Sequence, residues 1–315
     1  MINRRNIEWV NTLKTIGIFA VILGHLSSPL SIFIFSWHMP LFFILAGFFI
    51  KDELSFEEVF IKDFKRLMIP YFIFAIIGLC VEVIKRILLH RDSLNYVYEL
   101  QSIFLGMDMR SLNHHYGFVL WFLPTLFFAR LIVYGFQKKA FNIVFQFILV
   151  LILFYISFYL ELPFAIDNAF NASLWVFLGF IFYKFYQENT FLYGFPAIGI
   201  MIFLFYGIPA LDMATKSYSH SVVNILWAIS IIFIFIMILK KINFSAKISH
   251  VLSLWGGNTM LLFIIHPYTN NIASILGDKL HFGDWYLKYF ISLCLLQILL
   301  FIKIKFSNRG IFKYV

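Results

Sequence analysis

Runs of about twenty apolar residues, broken by short polar stretches, recur along the whole 315-residue chain. At 1.5 Å of rise per helical residue, each run is long enough to cross a ~30 Å hydrocarbon layer. Ten spans can be drawn, near 9–28, 31–50, 67–89, 116–136, 140–160, 171–187, 191–209, 220–239, 250–272 and 285–306. The pattern predicts an all-α polytopic membrane protein, a bundle of about ten transmembrane helices making one integral-membrane domain over 1–315. The longest polar connection, "HRDSLNYVYELQSIFLGMDMRSLNHH" (90–115), exceeds the usual loop length. It is expected to carry a short helix or a re-entrant turn, as a lid or simply an ordered loop.

Composition agrees with this reading. Hydrophobic residues make up 62% of the chain, with 42 Phe, and the mean hydropathy is +0.87. Charged residues are 13%, about half the ~25% of a soluble domain, too few to cover a core of this size with polar surface. If the N-terminus is cytoplasmic, seven of the 25 Lys and Arg fall outside: Lys85, Arg86, Arg91, Arg110, Lys216, Lys279 and Lys288. The remaining eighteen fall on or near the inside, so both termini are expected to be cytoplasmic. The net charge of +9 is thus a topogenic signal, and with no basic soluble face a nucleic-acid partner is not expected. The first apolar run lacks a small-residue cleavage site and is read as a span. Cys80 and Cys294 lie inside apolar runs, which points to small buried hydrophobes and to no disulfide or metal site.

One segment breaks the apolar rule. "KTIGIFAVILGH" places Lys14 and His25 eleven residues apart inside the first span. Eleven helical residues turn through about 1100°, which brings both side chains to one face, ~16 Å apart along the axis. A lysine within a span costs about 2.5–3.5 kcal/mol on insertion scales, so such residues tend to line wet cavities or meet anions. Taken singly, Lys14 could snorkel to the headgroups and His25 could bond a neighbouring helix. As a pair on one stripe, they suit a long ligand with an anionic head and a reactive tail. Coenzyme A thioesters have that shape, although geometry alone does not single them out.

The Lys-x10-His segment resembles the first helix of the membrane acyltransferase-3 family. Four further stretches resemble it in the family's order: "WHMPLFFILAGFFI" (37–50), "FKRLMIPYF" (64–72), "WFLPTLFFARL" (121–131) and "GGNTMLLFIIHPY" (256–268). The lysine at position 14 looks most like the sugar O-acetylase branch. There are departures. Asn11 stands where the family often has Asp, and Ala46-Gly47 where Ser-Gly is common. Lys62, Lys65 and Arg66 replace a pair of arginines, with Asp63 among them.

The resemblance implies transfer of an acetyl group from cytoplasmic acetyl-CoA to a hydroxyl of a cell-surface polysaccharide or its lipid-linked precursor, in a bacterial inner or plasma membrane, with no metal. His25, with a reference pKa of ~6.5, would be the general base, with a transient acyl-imidazole as the other version. Lys14 would hold the CoA phosphates as a point charge, helped by Lys65 and Arg66, which topogenesis alone would also explain. Glu8, Asn11, His38, Trp121 and His266 are pocket candidates. Each of these histidines precedes a proline that would free a backbone carbonyl and widen a cavity. Packing would account for them equally, and interfacial anchoring for Trp121. Glu82, three and four residues before Lys85 and Arg86, is read as locally neutralised. Two alternatives stay open: O-succinyl transfer within the family, and a transporter of a glycan or anionic metabolite using the same stripe. The missing internal repeat counts against the transporter.

Overall fold

The protein is described by a computed structural model over residues 4–50, 54–139, 141–185 and 194–306, with side chains from Trp9 in the first stretch and to Tyr183 in the third. In chain order the helices are α1 (Arg4–Gly24), α2 (Ser31–Phe35), α3 (His38–Phe48), α4 (Phe56–Asp63), α5 (Ile69–Leu88), α6 (Tyr96–Gln101), α7 (Phe122–Lys138), α8 (Ile143–Ile156), α9 (Ile166–Phe185) and α10 (Gly194–Tyr206). A two-stranded hairpin, β1 (Leu211–Asp212) and β2 (Ser217–Tyr218), precedes α11 (Ser221–Lys241), α12 (Ala246–Gly257), α13 (Thr259–Lys279) and α14 (Trp285–Lys305).

Among the described residues six helical stretches are long and apolar enough to cross a membrane: Ser31–Phe48, Phe56–Leu88, Tyr116–Lys138, Pro163–Tyr183, Ser221–Lys241 and Trp285–Lys305. A seventh is the pair α12 and α13, bent by 79°. The chain is a multi-pass membrane protein. Within the other three expected spans the residues with described side chains form shorter apolar helical stretches, Trp9–Gly24, Ile143–Tyr159 and Gly194–Tyr206, the first of them part of the 21-residue α1. The 250–272 run, expected as one span, is bent at Asn258. Cys80 and Cys294, expected to be buried, are exposed on the outer faces of α5 and α14. On α14, Phe290, Ile298 and Phe301 also face outward, as a lipid-facing helix requires.

The core is built around α1, which α12 to α14 hold along its length by polar contacts. Thr15 Oγ1 donates to the Leu252 carbonyl at 2.6 Å, and Asn11 Nδ2 to Ser253 Oγ at 3.2 Å. Asn270 Nδ2 donates to the Ile22 carbonyl at 3.0 Å. Such side-chain bonds join helices where no hydrophobic drive between them exists. Helices α3 and α9 meet backbone to backbone. A Cβ on Gly47 would overlap the Val176 carbonyl, and one on Gly179 the Ile44 carbonyl.

The start of α4 is fixed by a capping box: Ser55 N–H donates to Glu58 Oε2 at 2.7 Å, and Glu58 N–H to Ser55 Oγ at 3.1 Å. Between α4 and α5 the chain makes a π turn over Phe64–Met68. The expected short helix in 90–115 is α6, which continues into a second π turn, Ser102–Gly106.

Overpacking at the reciprocal glycines predicts that Gly47→Ala and Gly179→Ala each lose about 1–3 kcal/mol. Thermal unfolding in detergent should show a lowered midpoint for both. Gly194→Ala, where the added methyl meets open space, should leave the midpoint unchanged.

Candidate active site

Two cavities flank α1. The larger, about 680 Å³, is lined by Lys14, Lys62, Asp63, Arg66 and Arg130, so four cations face one carboxylate. Asp63 is buried and takes two of the cations. Its Oδ2 accepts from Arg130 Nε at 2.7 Å, and its Oδ1 lies 3.5 Å from Arg66 Nη2. Arg130 is fixed further by donating from Nη1 to the Ala46 carbonyl at 2.5 Å. Lys14 makes no ion pair with a described residue, and its ammonium lies 5.3 Å from the Phe49 ring centroid. The broken helix supplies the remaining wall, Gly256 to Leu261. There α13 begins at Asn258 without a side-chain cap, so its first N–H groups add to the positive field.

The second cavity, about 500 Å³, is lined by His25, His38, Trp121, the pair Glu82 and Lys85, His114, His115 and Asp212. Glu82 accepts from Lys85 Nζ at 2.7 Å and from Arg86 Nε at 3.0 Å, the local neutralisation expected from their spacing. His25 lies one residue past the end of α1 and is exposed to the cavity. Its ring is edged by Phe35 at 5.4 Å and faces His266 at 5.1 Å between centroids. His38 is buried, with Nδ1 2.8 Å from the Ile34 carbonyl. A carbonyl only accepts, so Nδ1 carries the proton and Nε2 keeps a lone pair. Burial, and then the neighbouring His114, push His115 down to about 4. His115 Nδ1 accepts from the Gly117 N–H at 2.9 Å, which leaves the proton on Nε2, and that nitrogen lies 3.8 Å from Glu99 Oε2.

A phenylalanine layer divides the two spaces. Phe263 lines both, packs on Phe122 at 5.1 Å, and Phe122 packs in turn on Phe42 at 6.2 Å. Lys14 and His25, expected in one channel, thus line two neighbouring cavities that share Phe263 as a wall.

An acyltransferase-domain family model, of the acyltransferase-3 type, matches residues 7–305. The chain belongs to the acyltransferase-3 family. No curated protein and no solved structure matches it.

The acyltransferase-3 motifs converge on these two cavities. Of the expected residues, Lys14, Arg66 and Asn11 line the Lys14 cavity, and His25, His38 and Trp121 line the His25 cavity. His266 lies fully buried behind His25. Lys65 is a correction: it is exposed and lines neither cavity. A turn closed by i→i+5 bonds holds an extra residue, so Arg66 stays above Lys62 while Lys65 rotates off that face. Asn11 is engaged with Ser253 on α12 and supports the helix pair. Glu8, whose side chain lies outside the described residues, receives no placement.

Sequence reasoning missed Arg130, which sits within the "WFLPTLFFARL" stretch, and gave Asp63 no role. It also passed over Asp212, His114 and His115, which reach the His25 cavity only through the folding of the hairpin and the 90–115 segment. The Asp212 turn is self-capped: its Oδ1 accepts from the Ala214 N–H at 2.9 Å and its Oδ2 from Thr215 Oγ1 at 2.8 Å.

Removing one partner of a buried ion pair strands the other. Asp63→Ala is expected to cost about 3–5 kcal/mol, read as a lowered unfolding midpoint. The double variant Asp63→Leu with Arg130→Met should recover most of it.

Proposed function

We propose that the protein transfers an acetyl group from cytoplasmic acetyl-CoA to a hydroxyl of a cell-surface polysaccharide or its lipid-linked precursor. The observation that carries this reading is the contrast between the cavities. One holds four cations and a helix N-terminus, suited to phosphates. The other holds imidazoles, amides and an indole around a neutralised ion pair, suited to a polar uncharged acceptor.

The Lys14 cavity would take the nucleotide end of the donor, with Lys14 and Arg66 on its phosphates. The thioester would pass Phe263 to reach His25. As the acceptor oxygen bonds to the acyl carbon, His25 takes its proton. The C–S bond then breaks and the imidazolium returns that proton to the departing thiolate, so the products are the ester and free CoA. Acetyl is favoured over succinyl because the one Lys or Arg lining the His25 cavity, Lys85, is already held by Glu82. A succinyl carboxylate would find no free cation there. The reading places both termini and the Lys14 cavity on the cytoplasmic side of a bacterial inner membrane, in keeping with the distribution of Lys and Arg.

The test follows thiol release by the purified protein supplied with acetyl-CoA and cell glycans. His25→Gln is expected to lower turnover by about 10²–10⁴-fold. A fully active His25→Gln alongside an inactive His38→Gln would move the base to His38, whose Nε2 lone pair is also free. No thioester consumption by the wild type would remove the reading and favour transport. Lys14→Ala should raise the KM for acetyl-CoA more than it lowers kcat, as loss of ground-state binding does.

A further inference from the structure

In α13 the residue after His266 is Pro267, which has no N–H. In a regular helix the amide at position 267 would bond the carbonyl of Phe263, so that carbonyl is left without its backbone donor. His266 fills the gap: its Nδ1 lies 2.6 Å from the Phe263 oxygen. The oxygen accepts, so Nδ1 is the protonated nitrogen, and Nε2 of the neutral ring bears a lone pair. That Nε2 is buried and has no hydrogen-bond partner among the described residues. An acceptor left so costs about 1–3 kcal/mol and calls for an explanation. The His25 ring packs beside it, at 5.1 Å between centroids and tilted by 37°; the two rings are not hydrogen-bonded in this structure, and a rotation of the His25 side chain would be needed to bring one of its nitrogens to Nε2.

We propose that His266 is the positioning residue of His25: its Nε2 accepts the His25 N–H, which turns the other, unprotonated His25 nitrogen towards the cavity. This rests on the reading of His25 as the base. During transfer the hydroxyl proton enters at the cavity-facing nitrogen of His25 and leaves from it to the thiolate. The imidazolium formed between these steps is held by the Nε2 lone pair. His266 keeps its own Nδ1 proton throughout, because the Phe263 carbonyl has lost the amide donor that residue 267 would supply in a regular helix. The role is the one a carboxylate plays in a Ser-His-Asp triad, here given to a neutral group. A buried carboxylate at this depth would bring a charge that costs several kcal/mol to desolvate, and an imidazole brings none.

Two amide variants separate positioning from a merely structural tie across the proline. Gln places its carbonyl oxygen where Nε2 lies, and keeps the acceptor for His25 but not the donor to Phe263. Asn places its amide nitrogen where Nδ1 lies, and keeps the donor but not the acceptor. His266→Gln is expected to stay within tenfold of wild-type kcat, and His266→Asn to fall by about 10²–10³-fold, with the KM for acetyl-CoA unchanged in both. The inference is overturned if Asn equals or exceeds Gln, or if both variants lose activity equally. ¹⁵N-histidine NMR on the wild-type protein gives a reading that no misfolded variant can blur. His266 should appear as the Nδ1–H tautomer with a hydrogen-bonded Nε2, and an Nε2–H tautomer overturns the inference. His25→Gln is run alongside: if it retains full thiol release the base reading itself fails, whereas an inactive His25→Gln with the Gln and Asn order reversed sinks only the positioning role.

Discussion

A proline inside a buried helix leaves one backbone carbonyl without a donor, and in a membrane-spanning bundle no bulk water can supply one. At Phe263 this deficit is met by the imidazole of His266. Much of the site's geometry depends on that substitution of side chain for backbone. The bond fixes a tautomer, seats a ring against His25, and holds the turn of α13 that carries Phe263 between the two cavities. One turn of α13 before Phe263, the break at Asn258 lays Gly256 to Leu261 along the Lys14 cavity. One broken and proline-bearing segment therefore shapes both spaces. At His38 the Ile34 carbonyl makes the same bond to Nδ1, so His38 and His266 are each held in one tautomer by a backbone carbonyl.

The charge arrangement has a similar economy. Four cations gathered at one cavity repel one another, and each costs desolvation. Asp63 offsets this for Arg130 and Arg66, while the π turn keeps Lys65 outside the group. Lys14 and Lys62 both stay without a carboxylate among the described residues, and Lys14 is the less exposed to solvent, so the least compensated cation is the one on α1. An anionic ligand therefore gains most by meeting Lys14. That gain is available only in the bound state, which is how a costly intramembrane lysine can persist without destabilising the empty protein beyond tolerance.

The helical class was legible because hydrophobic run length is a direct reading of bilayer thickness. The family was legible because its motifs occur in order along the chain. What failed to show was everything set by tertiary folding. Run length gave no sign of the 79° bend between α12 and α13. Lys65 looked equivalent to Arg66 because an ordinary helix would place both near Lys62, and a π turn leaves no clear composition signal. Arg130 and Asp63 lie 67 positions apart, and no periodicity links them. Asp212 comes to the His25 cavity by way of a two-residue hairpin that an apolarity scan reads as loop.

The aromatic layer changes what the eleven-residue spacing on α1 means. With Lys14 and His25 in one open channel, water would reach a thioester from both sides, and hydrolysis would compete with transfer. With Phe263, Phe122 and Phe42 between them, the nucleotide end of a donor can sit in a wet, cationic chamber while only its narrow pantetheine arm passes the rings. A phosphate cannot follow, because leaving the cations for an apolar constriction would cost it several kcal/mol. On the proposed reading the same rings keep bulk water from the reacting carbon on the donor side, so every electrostatic contact at His25 is strengthened. The helix then acts as a ruler between two environments of opposite character, and the partition makes that distance chemically useful.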